Sequence, residues 1–226
     1  YMLNKLKTTI AVEHSGIRGT SVLSELIEKY PHYNYIYFAD NLNMPYGKKS
    51  KRFLLKRAKE IIDVLKNSYK VDAIIIACNT LSSIICECRD ENVYVMPFSL
   101  DKTYLTTPLT KWVLTNHKII PDANLATKIE QYIFNRPVLN RIIKSHIKRF
   151  KLDNLNELVL GCTHYELCYE IFKKNCPDTK ISKNSDFLIN NLKLDFNLLE
   201  EMPSVEILLS KPSKSYSEKI RRLIRR

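Results

Sequence analysis

Ala73-Ile74-Ile75-Ile76-Ala77-Cys78-Asn79-Thr80 is the stretch that decides the fold. Five small or apolar residues end abruptly in Cys-Asn-Thr. A short isoleucine-rich run bounded by polar residues reads as a strand buried on both faces, which is the habit of parallel sheets covered by helices. A cysteine at its carboxyl end, followed by two hydrogen-bonding side chains, stands where open α/β sheets place their ligands. The pattern recurs in Glu157-Leu158-Val159-Leu160-Gly161-Cys162-Thr163-His164. Two strand-end thiols point to two similar halves that face one substrate, each half supplying one sulfur.

Working outward, residues 8–12 read as a first strand. His14-Ser15-Gly16-Ile17-Arg18-Gly19-Thr20 follows, then a helical pattern to Tyr30. Strand, glycine-containing turn and helix is a layout that presents backbone N–H groups to an anion. Residues 33–39 read as a second strand ending at Asp40, and Met44-Pro45-Tyr46-Gly47-Lys48 as a loop shaped by Pro and Gly. Ser50 caps a helix running to about Tyr69, with Phe53, Leu54, Ala58, Ile61, Ile62 and Leu65 on its core face. After the strand at 73–77 come a helix at 81–89 and a fourth strand at 93–96. This alternation predicts a parallel sheet with right-handed crossovers. A hinge falls near residues 97–100. Beyond it the pattern weakens: Thr106-Thr107-Pro108-Leu109-Thr110 reads as a polar turn. Residues 123–134 and 138–150 read as helices broken by Pro137. Strands are expected at 157–160, 178–182 and 205–209, and helices at 166–174 and 213–226. Residues 185–194 carry no clear signal.

Composition narrows the class. The chain has 226 residues, 45% of them apolar, enough for a sizeable core. No apolar run approaches the ~20 residues of a membrane span, and no stretch reads as a signal peptide. The six cysteines, Cys78, Cys86, Cys88, Cys162, Cys168 and Cys176, include no C-x-x-C pair and read as free thiols of a reducing cytosol. The net charge of +12 is spread along the chain, with clusters at 48–57, 144–151 and 221–226. No nucleic-acid motif accompanies it, so these clusters read as solvated faces. The four glycines, Gly16, Gly19, Gly47 and Gly161, all fall in the segments singled out here, where a positive φ or a close backbone approach is expected.

Taken in order, Ser15-Gly16, Asp40 with Pro45-Tyr46-Gly47-Lys48, Ala77-Cys78-Asn79-Thr80 and Leu160-Gly161-Cys162-Thr163-His164-Tyr165 resemble glutamate racemase, of the cofactor-independent aspartate/glutamate racemase family. The resemblance implies an α/β fold of two pseudo-symmetric domains, each a mainly parallel sheet flanked by helices, with the active site between them. Residues 1–97 with 204–226 would carry Cys78, and residues 98–203 would carry Cys162. It implies racemisation of L- and D-glutamate without a cofactor or a metal. It further implies a cytoplasmic homodimer that supplies D-glutamate for peptidoglycan, with a small acidic amino acid as its partner and neither membrane nor nucleic acid. Carried over residue by residue, Cys78 and Cys162 are the two acid/bases. Ser15, Pro45, Tyr46, Gly47, Asn79, Thr80 and Thr163 match substrate-binding positions. Thr107 and Thr110 match a family Thr-x-x-Thr, and Asp40 and His164 match auxiliary residues. Lys128-Ile129-Glu130 is similar to the segment that carries a family glutamate.

The chemistry of the residues agrees. Racemisation removes a proton from one face of a carbon and returns one to the other, so one base per face is the simplest arrangement. A thiol with an ordinary pKa near ~8.5, tunable by its surroundings, suits a group that alternates between acid and base. Two positions depart from the family: His14 stands where the family has an aspartate beside the first cysteine, and Arg18 where it has a glycine. The expectation for His14 is that it takes the proton of Cys78, forming a thiolate–imidazolium pair that lowers the Cys78 pKa below that of Cys162. The rival readings are an aspartate racemase, an impaired relative retained as a binding protein, and a zinc site of Cys78, Cys162, His14 and His164. The last has a spacing that fits no compact zinc module.

Overall fold

The computed structural model describes residues 8–87, 90–194 and 204–224. The chain runs β1 (Thr9–His14), α1 (Thr20–Lys29), β2 (Asn34–Ala39), α2 (Lys51–Asn67), β3 (Ala73–Ile76), α3 (Asn79–Ile84) and β4 (Val93–Val95). It continues β5 (Thr103–Thr106), α4 (Pro108–Val113), β6 (Lys118–Pro121), α5 (Leu125–Tyr132), α6 (Arg136–Phe150) and β7 (Glu157–Leu160). Then follow α7 (Thr163–Glu166), α8 (Tyr169–Asn175), β8 (Lys180–Lys183), α9 (Asn184–Asn191), β9 (Val205–Leu209) and α10 (Lys214–Ile224). Among the described residues the strands form two sheets, one ordered β4-β3-β1-β2-β9 and one ordered β6-β5-β7-β8. Every pairing is parallel. The α/β class read from the sequence is the observed one.

Both sheets are parallel because both of their faces are covered. Ile10 and Val12 of β1 pack on Val22, Leu23 and Leu26 of α1, with Leu188 of α9 and Ile220 of α10. Ala11 between them faces the other way, toward Leu54, Ala58 and Ile61 of α2 and Leu81 of α3. The isoleucines of β3 therefore meet apolar neighbours on either side, and all are fully buried. In the second sheet Leu105, Leu158 and Leu160 pack on Leu125, Ile129, Leu139, Ile143 and Phe172. The opposite face, Tyr104 and Val159, meets Leu114 and Ile119. β9 returns to the first sheet and pairs with β2, Tyr35 opposite Val205.

Several elements differ from the sequence reading. Ser50 caps α2, its Oγ accepting from the Phe53 N–H at 3.2 Å, but Phe53 itself is exposed. It lies at the margin of the apolar stripe, with the Lys49 ammonium 5.5 Å over its ring. After residue 97 the chain forms β5, α4 and β6. Four-residue strands with polar ends leave no period to read. Thr107-Pro108 is the start of α4 rather than a turn, with Pro in its first turn. Residues 184–191 are α9. The helix expected at 166–174 is α8, which begins at Tyr169, and the short α7 precedes it. Cys88, Arg89 and the chain's last two residues lie outside the described residues.

Lys51, Arg52, Lys56 and Lys59 of α2, Lys144, Lys148 and Arg149 of α6, and Arg221 and Arg222 of α10 are exposed. Among the described residues no helix is long and apolar enough to cross a membrane.

No described glycine has a positive φ; Gly16, Gly19 and Gly161 supply close approach, whereas a Cβ at Gly47 would meet nothing nearer than 3.9 Å. Gly161 lies against β5, where an added Cβ would stand 2.6 Å from Thr106 Cγ2 and 3.3 Å from the Leu105 carbonyl oxygen. Gly161→Ala is expected to cost about 1–3 kcal/mol as overpacking. At this chain length that lowers Tm by about 2–4 °C per kcal/mol in a thermal melt. An unchanged Tm would mean that the turn has room to spare.

Candidate active site

At the carboxyl ends of β1, β3, β5 and β7, between the two sheets, lies a cavity of about 110 Å³. Open α/β sheets bind ligands at these ends. Its size suits a small molecule and not a segment of polymer. A larger hollow of about 830 Å³ lies along α2 and contains none of the candidate site residues.

Cys78 and Cys162 line this cavity together. Each is the N-cap of the helix after its strand, with extended backbone. Both thiols are buried, and burial pushes each of them up to about 12. At Cys78 the nearby Glu13 adds to the rise, while hydrogen bonds from the Leu81 amide and the Ser15 hydroxyl oppose it. At Cys162 the amides of His164 and Tyr165 oppose the rise and Glu166 adds to it. The two environments are alike in kind: a desolvated sulfur offered a few fixed donors.

Ser15, Pro45, Tyr46, Gly47, Asn79, Thr80, Thr107, Thr163, His14 and His164 line the same cavity. Thr110 and Asp40 do not. Thr110 is fully buried, and its hydroxyl lies 3.3 Å from that of Thr107, which lies 3.3 Å from that of Thr80. Asp40 is fully buried too. Its two oxygens each take a 2.9 Å hydrogen bond from Arg57. The same carboxylate accepts from the Tyr46 hydroxyl at 2.8 Å. Against burial, which would raise it, these partners hold the Asp40 carboxyl below its usual range. Asp40 thus fixes the Tyr46 loop and stands behind the cavity wall.

His14 departs from expectation. Its Nδ1 lies 2.9 Å from the Gly16 nitrogen and 3.2 Å from the Gly16 carbonyl oxygen. The shorter contact is with the N–H, which donates to Nδ1, and this assigns the neutral ring's proton to Nε2. Nε2 lies 2.9 Å from Thr163 Oγ1 and donates to it. Burial, with His164 nearby, holds the imidazole down at about 3. A ring engaged at both nitrogens and kept neutral does not pair with Cys78, and Cys78 is not lowered relative to Cys162. His14 instead braces the loop of the second cysteine from the first sheet. Gly19 makes room for it: a Cβ there would stand 2.6 Å from His14 Cβ.

The second cysteine has an imidazole of its own. His164 Nδ1 is 3.7 Å from Cys162 Sγ, and His164 Nε2 is 3.1 Å from Glu130 Oε2. Asn184 Nδ2 donates to Asn79 Oδ1 at 2.7 Å, and Asn79 Nδ2 has no partner. Asn184, Asp122, Thr127 and Glu13 escaped the sequence reading. Glu13 alone carried a usable signal, being a carboxylate inside an otherwise apolar strand. It is fully buried, with Oε1 3.1 Å from the Tyr46 hydroxyl and Oε2 unpartnered. Among the described residues no three His, Cys, Asp or Glu side chains converge on a point that could hold a metal.

Two parallel α/β sheets with a strand-end thiol from each at one small cavity define an amino-acid racemase, an isomerase. Comparison with known proteins supports this. A glutamate racemase of Buchnera aphidicola subsp. Schizaphis graminum is 30% identical over 179 residues, covering 67% of this chain and 70% of the relative. One from Thermoanaerobacter pseudethanolicus is 30% identical over 190 residues, covering 73% and 71%. The chain belongs to the glutamate racemase family. No family model matches it. The fold is that of the Thermus thermophilus glutamate racemase solved with β-chloro-D-alanine, at a TM-score of 0.80 and 23% identity, covering 96% of this chain and 93% of that one. The Francisella tularensis enzyme solved with D-glutamate gives a TM-score of 0.74 at 22% identity, covering 97% and 94%.

Burial pushes the Glu13 carboxyl up to about 8 from an ordinary 4.5. As pH rises through that window the unfolded chain loses this proton while the fold keeps it, so stability falls. Glu166, pushed up to about 7, acts in the same sense. His14, held near 3, acts oppositely and loses its contribution only as pH falls below 6.5. Between pH 6.5 and 8, Tm should therefore decline, and Glu13→Gln should flatten the decline. Equal slopes for both proteins would show that Glu13 is ionised in the fold.

Proposed function

We propose that this chain interconverts L- and D-glutamate by a two-base mechanism without a cofactor. The observation that carries the reading is the pair of buried thiols brought to one small cavity from two sheets. One sulfur, as thiolate, removes the α-proton; the C–H electron pair passes to the α-carbon and spreads into the α-carboxylate. The other sulfur, as thiol, returns a proton to the opposite face, and the pair becomes the new C–H bond. By family analogy Cys162 deprotonates the L-isomer and Cys78 the D-isomer. Donors around the cavity meet the charge that develops on the carboxylate. Asn79 Nδ2 is unpartnered, and Thr163, whose oxygen already accepts from His14, keeps its own proton to give. His164 Nδ1 is placed to take the proton of Cys162.

The reading includes a cytoplasmic homodimer that supplies D-glutamate for peptidoglycan, which rests on family membership alone. Aspartate presents the same α-centre, and both amino acids belong in the assay.

The circular dichroism of L-glutamate should decay to zero with the protein, and solvent deuterium should enter the α-carbon. Cys78→Ala or Cys162→Ala should cut the rate by about 10²–10⁴, the usual worth of a positioned acid or base. Since both thiols sit near 12, kcat/KM should still be climbing as pH passes 8. No decay with either amino acid would leave a binding protein, and full activity in both alanine variants would end the two-base mechanism.

A further inference from the structure

We propose that Arg18 is a positioning residue for Cys162: it reaches across from the turn after β1 to anchor Glu130, and Glu130 in turn sets the ring of His164 against the thiol. The inference rests on the function proposed above, since it concerns how one of the two bases is prepared.

Arg18 lies in the 3-10 turn Ile17–Gly19. Its side chain is only 3% exposed, and its Nε donates to Glu130 Oε2 at 2.6 Å. The same Oε2 lies 3.1 Å from His164 Nε2. A ring nitrogen facing a carboxylate carries the proton, and in a neutral imidazole the other nitrogen is then bare. The bare nitrogen is Nδ1, and it lies 3.7 Å from Cys162 Sγ. The sulfur's proton can pass to Nδ1, with its electron pair left on sulfur, and return by the same route.

Glu130 needs an anchor. Its side chain is 39% exposed, and a glutamate so placed on a helix surface gives up rotamer freedom to hold one position. A buried guanidinium opposite it removes the choice. The cation also works against an imidazolium at His164. Burial lowers His164 most; the hydrogen bond to Glu130, which raises it, outweighs the repulsion from Arg18. What Arg18 holds in place thus counts for more than what it repels. The other titratable groups facing this chain of contacts are His14 from β1, Glu166 from α7, Cys168 and Tyr216 from α10.

The test uses the full chain and its Arg18→Met, Arg18→Lys and Glu130→Gln variants, with Arg18→Met/Glu130→Gln as the double. Iodoacetamide labelling of Cys162 is followed against pH by peptide mass spectrometry, and the His164 tautomer by ¹⁵N NMR. Arg18→Met should slow Cys162 labelling at pH 8 about five- to tenfold, about one unit of apparent thiol pKa. It should also replace the Nε2–H tautomer by a mixture. Glu130→Gln should slow labelling similarly, the double should be no slower than the worse single, and Arg18→Lys should recover most of the loss. A wild-type labelling profile and tautomer in Arg18→Met, or additive effects in the double, would overturn the proposal. Should Arg18→Met fail to fold, the tautomer and labelling of Glu130→Gln beside Arg18→Lys decide: a wild-type profile in Glu130→Gln overturns it. Labelling does not need turnover. A chain that fails to racemise either amino acid but shows these shifts loses the proposed function and keeps the role of Arg18; a racemase without the shifts does the reverse.

Discussion

A thiolate is costly where it is buried, and both cavity thiols are buried. That cost organises the site. It pushes each thiol to about 12, so neither is a standing nucleophile, and each needs donors aimed at the sulfur to ionise at all. The chain supplies them by a local device used twice. A strand ends in cysteine, the cysteine caps a short helix, and the first amides of that helix turn toward the sulfur. Racemisation has an equilibrium constant of one, so kcat/KM is equal in the two directions. A pair of thiols of matched acidity divides the barrier evenly between them, and a large mismatch would make one step slow.

Two sulfurs on separate sheets stay at one cavity only if the sheets hold their relative position. Among the bonds that cross between them, two are buried and two are part-buried. His14 reaches Thr163, Thr80 reaches Thr107, Asn184 reaches Asn79 and Arg18 reaches Glu130. His14, Thr163, Thr80, Thr107 and Asn79 also line the cavity, so these groups both wall it and fix its width, while Arg18, Glu130 and Asn184 stand behind them.

Much of this was legible in the sequence. The apolar run before Cys78 could only be a strand covered on both faces, and its repetition before Cys162 foretold a second sheet and a shared cavity. β5 and β6 were not legible, because Thr103–Thr106 and Lys118–Pro121 are too short and too polar at their ends to show a period. Asp40 could be named but not placed, since nothing local says that its carboxylate turns back to Arg57 and Tyr46. His14 differs for a related reason. It stands where the family has an aspartate beside the first cysteine, which suggests a partner there, whereas the ring's two nitrogens face Gly16 and Thr163 at the start of α7. Tertiary partners of this kind leave no trace in spacing.

The altered first motif bears on whether the chain is a working enzyme or a remnant. A motif drifting without function leaves buried polar groups unpaired, each at about 1–3 kcal/mol. The two residues that differ from the family are buried and partnered: His14 at both nitrogens and Arg18 on Glu130. His14 reaches Thr163 at the start of α7, and Arg18 reaches Glu130 of α5, whose carboxylate faces His164. With no carboxylate at position 14, the groups that favour ionisation of Cys78 are the Leu81 amide and the Ser15 hydroxyl, both donors to sulfur. The changed positions thus face the second cysteine's half of the site and leave no orphan at either one, which is the pattern of a kept site rather than a drifting one.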